Sequence, residues 1–207
     1  MTKELFFVLL LVFTATSNKG VDVSELFNLD TFQCFVRNGA QFSVVQASTD
    51  NGNTDPNALQ NLKALKNLGL TTDIFMRVCR GKDPVQQVND MMDQVPTNYY
   101  QTVWVYIVTN TQPGCDWSSY TEQTNCAFVN SIMTAIKNRG KNAGVYSSVT
   151  DWTYVFKNVN GCPRLSEFPV WYEYNDDTQS FNNFRSFGGW SQPTMKRYSV
   201  HYSWCGT

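Results

Sequence analysis

Carboxylates are the groups with which this chain can do acid–base chemistry. Its single histidine, His201, lies near the C-terminus with no serine or cysteine motif to serve, and reads as a surface residue. Six cysteines follow the N-terminal segment, an even count that favours disulfides over free nucleophiles. Their spacing lacks the close Cys-x-x-Cys pairs of a zinc site. The acids that stand beside apolar segments are Asp22, inside Gly20-Val21-Asp22-Val23, and Glu173, inside Trp171-Tyr172-Glu173-Tyr174. Asp176 and Asp177 follow in a polar stretch and read as loop solvation. A catalytic acid or base must lie within hydrogen-bond reach of the proton it moves, so the elements that carry these residues decide what they can do.

The element that organises the chain is the apolar run Val103-Trp104-Val105-Tyr106-Ile107-Val108, which stops at Thr109-Asn110. A short β-branched and aromatic block before a long polar stretch predicts a buried strand. Alternation puts Trp104, Tyr106 and Val108 on one face and Val103, Val105 and Ile107 on the other. Around it, strands are expected at 20–23, 42–47, 72–78, 143–146, 168–174 and 195–200. Between them lie helical patterns. Phe32, Phe35 and Val36 share a face before Gly39. Asp55-Pro56 opens a helix with Leu59, Leu62, Leu65 and Leu68 inward, and Asp83-Pro84 opens one with Val85, Val88, Met91, Met92 and Val95 inward. Phe128 to Ile136 and Val149 to Phe156 supply two more. Strand–helix alternation implies a mainly parallel sheet covered by helices, an α/β fold of barrel type. Seven strands are found where a closed barrel wants eight, so the closing strand is missing from the pattern. Barrels of this type keep their chemistry at the C-terminal ends of the strands, where Tyr106 and Val108 stand.

Lys3 precedes an uncharged apolar run from Leu5 to Phe13 and then Thr14-Ala15-Thr16-Ser17. This is the layout of a secretory signal peptide over residues 1–17, with an apolar run too short to span a bilayer. The expected destination is the extracellular space or a gut or lysosomal lumen. The remainder is of one-domain size. Sixteen basic against seventeen acidic residues, scattered along the chain, exclude a phosphate-binding stripe, and no N-x-S/T sequon occurs. No nucleic acid, membrane, metal or cofactor is expected as a partner, and the chain is expected to be a monomer. Cys115 and Cys126 read as a local pair closing the loop after the organising strand. Cys34, Cys79, Cys162 and Cys205 are left with three possible pairings.

Several motifs, in order, resemble the glycoside hydrolase family 25 lysozymes, above all the secreted, cysteine-containing lysozyme-like proteins of invertebrates and protists. They are Gly20-Val21-Asp22-Val23-Ser24, Cys34, Cys79-Arg80-Gly81-Lys82 with Gln86-Gln87-Val88, and Gly144-Val145-Tyr146-Ser147-Ser148. Pro169-Val170-Trp171-Tyr172 and Phe184-Arg185-Ser186-Phe187-Gly188-Gly189-Trp190 complete the set. The resemblance covers about residues 20–205. It implies an irregular β/α barrel domain over 20–207, peptidoglycan as the substrate class, and antibacterial defence or bacterial digestion as the role. In that family the organising strand ends in Asp-x-Glu, with the Glu as general acid. Here those positions are Tyr106 and Val108, while the first-strand aspartate is Asp22; a further acid that the family places after the last cysteine would fall beyond Thr207. The resemblance therefore implies a lysozyme-like protein with little or no muramidase activity. The alternative is an active lysozyme with a relocated acid, for which Glu173 is the candidate, the bland reading of Glu173 being a solvated strand flank. Trp171 and Tyr172 are the candidates for stacking on sugar rings; Trp104 and Trp190 read as core.

Overall fold

The computed structural model describes residues 18–199 and residue 205; the expected signal peptide and His201 lie outside the described residues. Seven strands form one parallel sheet in chain order: β1 (Gly20–Val23), β2 (Phe42–Ser48), β3 (Thr71–Arg77), β4 (Thr102–Ile107), β5 (Asn142–Ser147), β6 (Val170–Glu173) and β7 (Met195–Arg197). Helices α1 (Leu29–Arg37), α2 (Ala58–Asn67), α3 (Pro84–Gln94), α4 (Glu122–Asn138) and α5 (Val149–Phe156) cover one face. The expected α/β barrel architecture is present, and it is open, with β1 and β7 as edges.

Alternation along the strands divides the core in two. Val45, Ile74, Val103, Val105, Ile107, Val145 and Val170 face the helices, and the opposite face packs Val44, Phe75, Trp104, Tyr106, Tyr146 and Trp171 into a separate cluster inside the curl. Gly144 is required here, because a Cβ at that position would lie 2.5 Å from the Trp104 ring. Between β6 and β7 no helix covers the sheet. The Lys196 ammonium organises the long loop instead, donating to Asp176 Oδ1 at 2.7 Å, the Thr178 carbonyl at 2.9 Å, the Ser180 carbonyl at 3.2 Å and Asn183 Oδ1 at 3.1 Å. Asp176 is thus an ion-pair partner rather than a solvating loop acid.

The Asp83-Pro84 helix start is present, with Asp83 Oδ1 accepting from the Gln86 amide at 2.8 Å. Asp55-Pro56 does not open α2. The buried Asp55 carboxylate instead accepts from Gln46 Nε2 at 2.7 Å and from the Asn57 amide at 2.8 Å, shaping a turn, and the helix begins at Ala58. Val36 and Val85, expected inward, are exposed. On α3 the buried partner is Gln87, whose Oε1 accepts from the Cys79 amide at 2.8 Å and whose Nε2 donates to the Cys79 carbonyl at 3.1 Å.

The cysteine pairing corrects the sequence reading. Cys115 bonds Cys79, Cys126 bonds Cys162, and Cys34 bonds Cys205. Cys115 lies beside the end of β3, where the Arg80 amide donates to its carbonyl at 3.3 Å. Cys126 has entered α4, so it reaches the segment after α5 and not the loop that precedes its own helix. The Cys34–Cys205 bond ties α1, next to β1, to the chain beyond β7 and so staples the two edges of the open sheet, 171 residues apart in sequence. Replacing both Cys34 and Cys205 by Ser is expected to cost about 2–5 kcal/mol. Equilibrium urea unfolding of the double variant measures this, and an unchanged midpoint would contradict the stapling role.

Candidate functional site

The C-terminal ends of the strands form a mouth floored by aromatic rings. Register sets Arg77, Tyr106, Tyr146 and Trp171 side by side on β3 to β6. Their common inward parity turns a row of neighbours into a stack: Tyr106 and Tyr146 lie 3.9 Å apart at 14°, Tyr146 and Trp171 3.8 Å apart at 13°. Phe75 meets three of these rings edge-on from below. Arg77 continues the row on the other side, its Cζ 4.9 Å from the Tyr106 ring centroid.

Charge sits above this floor. Glu173, two residues beyond inward Trp171 on β6, shares the inward parity and points into the mouth. Its Oε2 accepts from the Tyr106 hydroxyl at 2.6 Å and its Oε1 from Arg197 Nη1 at 2.9 Å. Arg197 Nε lies 3.2 Å from Asp22 Oδ2 on β1. One guanidinium therefore joins the two carboxylates of the mouth and crosses the open seam between β7 and β1. Burial pushes the Asp22 carboxyl above the usual aspartate range, against the opposing pull of Arg197. Burial alone would lower Arg197, but Asp22, with Tyr146, Glu173 and Tyr106, outweighs it and holds the guanidinium firmly charged. Burial, then the charge of Glu173 and its hydrogen bond, push the Tyr106 hydroxyl far above the phenol range, so it acts only as a donor at neutral pH. Tyr146 is pushed up by burial, Tyr106 and Glu173 as well, and its buried hydroxyl has no hydrogen-bond partner among the described residues.

The remaining sequence candidates divide clearly. Asp22, Tyr106 and Glu173 meet in the mouth. Val108 lies just past the end of β4, half-buried, with its carbonyl accepting from Trp117 Nε1 at 3.0 Å. Trp171 and Tyr172, the candidates for stacking on sugar rings, are both buried. Trp171 is 3% exposed within the floor, and Tyr172, 1% exposed, has the opposite parity and packs against Phe184 and Phe187 on the outer face. Sequence reasoning missed Arg77 and Arg197. The only available signal was parity: Arg197 follows Met195 by two and Arg77 follows Phe75 by two, which places both on the inner face.

Two outcomes test this network. Arg197→Gln leaves Asp22 and Glu173 without their cation, and thermal or urea unfolding is expected to show a loss of about 3 kcal/mol; a loss within error would contradict the bridge. Because Asp22 in the folded chain keeps its proton to higher pH than in the unfolded chain, the folded state binds more protons between about 3.9 and the raised value. Stability should therefore fall as pH rises through that window. Asp22→Asn should remove this slope from a pH series of unfolding midpoints, and a slope that persists would assign it elsewhere.

Comparison with known proteins agrees with this architecture. The family model described as Lysozyme-like protein 1 matches residues 13–198. Among curated proteins, the chain is similar to Probable GH family 25 lysozyme 2 of Dictyostelium discoideum, 31% identical over 97% of this chain and 92% of that protein. It is also similar to Lysozyme-like protein 5 of Caenorhabditis elegans, 26% identical over 94% and 91%. Among solved structures, the muramidase from Acremonium alcalophilum shares the fold with a TM-score of 0.71, 14% identity and 86% of each chain covered. The family GH25 lysozyme from Aspergillus fumigatus gives 0.69, 15% identity, and 89% and 88%. A matching family model over nearly the whole length and a full-length relative above 30% identity agree, and the chain belongs to the lysozyme-like proteins of glycoside hydrolase family 25.

Proposed function

We propose that this chain is a secreted lysozyme-like protein that engages bacterial peptidoglycan in antibacterial defence, with little or no muramidase activity of its own. The names of its relatives, lysozymes and muramidases, support the substrate class. The observation that supports the second half is that Asp22 and Glu173 share Arg197 in the mouth, where the resemblance assigns the family's Asp-x-Glu pair to Tyr106 and Val108.

Cleavage of a glycosidic bond needs a proton donor at the leaving oxygen and a second carboxylate at the oxocarbenium centre. Val108 has no proton to give, and Tyr106 holds its proton too tightly and directs it at Glu173. Each Glu173 oxygen already accepts a hydrogen bond, from Tyr106 on one side and from Arg197 on the other. Asp22 can stabilise positive charge but is engaged with Arg197 across the seam. Losing a general acid alone costs about 10² to 10⁴ in rate, and here its partner is replaced too.

One observation favours a second reading, in which the protein is an active N-acetylmuramoylhydrolase with a relocated acid: Glu173 does point into the mouth, in reach of the same guanidinium as Asp22. Reducing-end release from purified peptidoglycan separates the two. The mature protein is expected to fall at least about 10³-fold below an active family member, and Glu173→Gln to change nothing. Turnover comparable to that control, lost in Glu173→Gln, would establish Glu173 as the acid and overturn the inactive reading.

A further inference from the structure

Arg77 is the charged side chain of the mouth that the network around Asp22 and Glu173 leaves unused. It closes β3 with inward parity, opposite Tyr106 in the register. Two contacts hold it in place. Its Nε is ion-paired to Asp50 in the loop after β2, and its guanidinium lies over the Tyr106 ring, 4.9 Å from the centroid. The loop carrying Asp50 is itself pinned by Asn110, a buried residue after β4 whose Nδ2 donates to the Asp50 carbonyl at 2.6 Å and to the Val78 carbonyl at 3.1 Å. Fixed through Nε and one face, the guanidinium keeps its other two nitrogens: among the described residues no hydrogen bond engages Nη1 or Nη2. The side chain as a whole is 25% exposed.

We propose that Arg77 is a specificity-determining residue that takes a carboxylate of the bound glycan polymer through Nη1 and Nη2. The inference rests on the peptidoglycan reading above and names the feature of that polymer which the mouth recognises. A planar guanidinium with two parallel N–H donors matches a carboxylate in forked geometry, and a positioned fork loses less freedom on binding than a mobile lysine. The replacement of the family's acidic pair by Tyr106 and Val108 fits the same role. An aspartate at 106 would stand beside Arg77 and compete for it, whereas a neutral ring supports its face and leaves its charge for a ligand. Peptidoglycan offers carboxylates from two sources, the stem peptides and the lactyl groups that become free when the stems are removed. Chitin, a polymer of the same N-acetylglucosamine backbone, offers none.

The test is retention of the mature protein, wild type and Arg77→Gln, on three insoluble polymers at moderate salt: intact peptidoglycan, peptidoglycan stripped of its stems by an amidase, and chitin. The wild type is expected to be retained on one or both peptidoglycan forms, the form identifying the source, and at least about tenfold more weakly on chitin. Arg77→Gln should lose about tenfold on peptidoglycan and nothing on chitin. Arg77→Lys, which keeps the charge and loses the fork, should recover only part. Equal retention on peptidoglycan and chitin, undiminished in Arg77→Gln, would overturn the role of Arg77 while leaving glycan binding intact. No retention of the wild type on either peptidoglycan form would overturn the peptidoglycan reading and this one with it. Should Arg77→Gln fail to fold, competition on the wild type decides: free N-acetylmuramic acid must displace it from peptidoglycan where N-acetylglucosamine does not, and equal displacement would sink the inference.

Discussion

A guanidinium between two carboxylates bridges the open seam of this barrel. The parallel sheet runs from β1 to β7 without its edges pairing, so no ladder of backbone hydrogen bonds closes the curl. Arg197 crosses the gap to Asp22 and binds Glu173 on its own side, and the Cys34–Cys205 bond staples the same seam lower in the chain's architecture. Such a bridge adds little net stability relative to an apolar closure, because each ion gives up water to make it, and the raised Asp22 carboxyl shows burial winning over attraction. Its effect is on geometry. With the pair in place, the three-residue β7 is fixed against β6 and the mouth has a defined rim; with one partner removed, the other charges stay half-buried and uncompensated.

The chemistry of the mouth follows from that closure. Asp22 and Glu173 share one cation, and Glu173 also accepts from the Tyr106 hydroxyl. Below them, the stack of Tyr106, Tyr146 and Trp171 fills the interior that the barrel would otherwise leave to polar groups. Tyr106 extends this aromatic floor up to the rim, where its hydroxyl donates to Glu173. At the rim, Arg77 is held by Asp50 and the Tyr106 ring, while its Nη1 and Nη2 make no hydrogen bond among the described residues.

Much of the fold was legible in the sequence because it is local or periodic. The strand at Val103–Val108, the alternation of strands and helices, and the Asp83-Pro84 cap all rest on near neighbours along the chain. What escaped depends on contacts distant in sequence. Asp55-Pro56 has the letters of a helix start, but a hydrogen bond from Gln46 on β2 engages the carboxylate in a turn instead. Loop length suggested Cys115 with Cys126, yet the pairing follows the strand end that Cys115 reaches and the helix face that Cys126 occupies. The direction of Glu173 turned on the inward parity of Trp171 being known, and a three-strand stack covering Trp171 is invisible to any window of sequence. For Arg197 the parity signal was weak, because β7 is only three residues long.

The central claim is that this mouth holds peptidoglycan without cutting it. It is tested most directly by incubating the mature protein with long glycan strands, recovering the bound fraction, and measuring strand length by mass spectrometry against an untreated sample. The account expects recovered strands of unchanged length, with no new reducing ends. Strands shortened by the wild-type protein would contradict it.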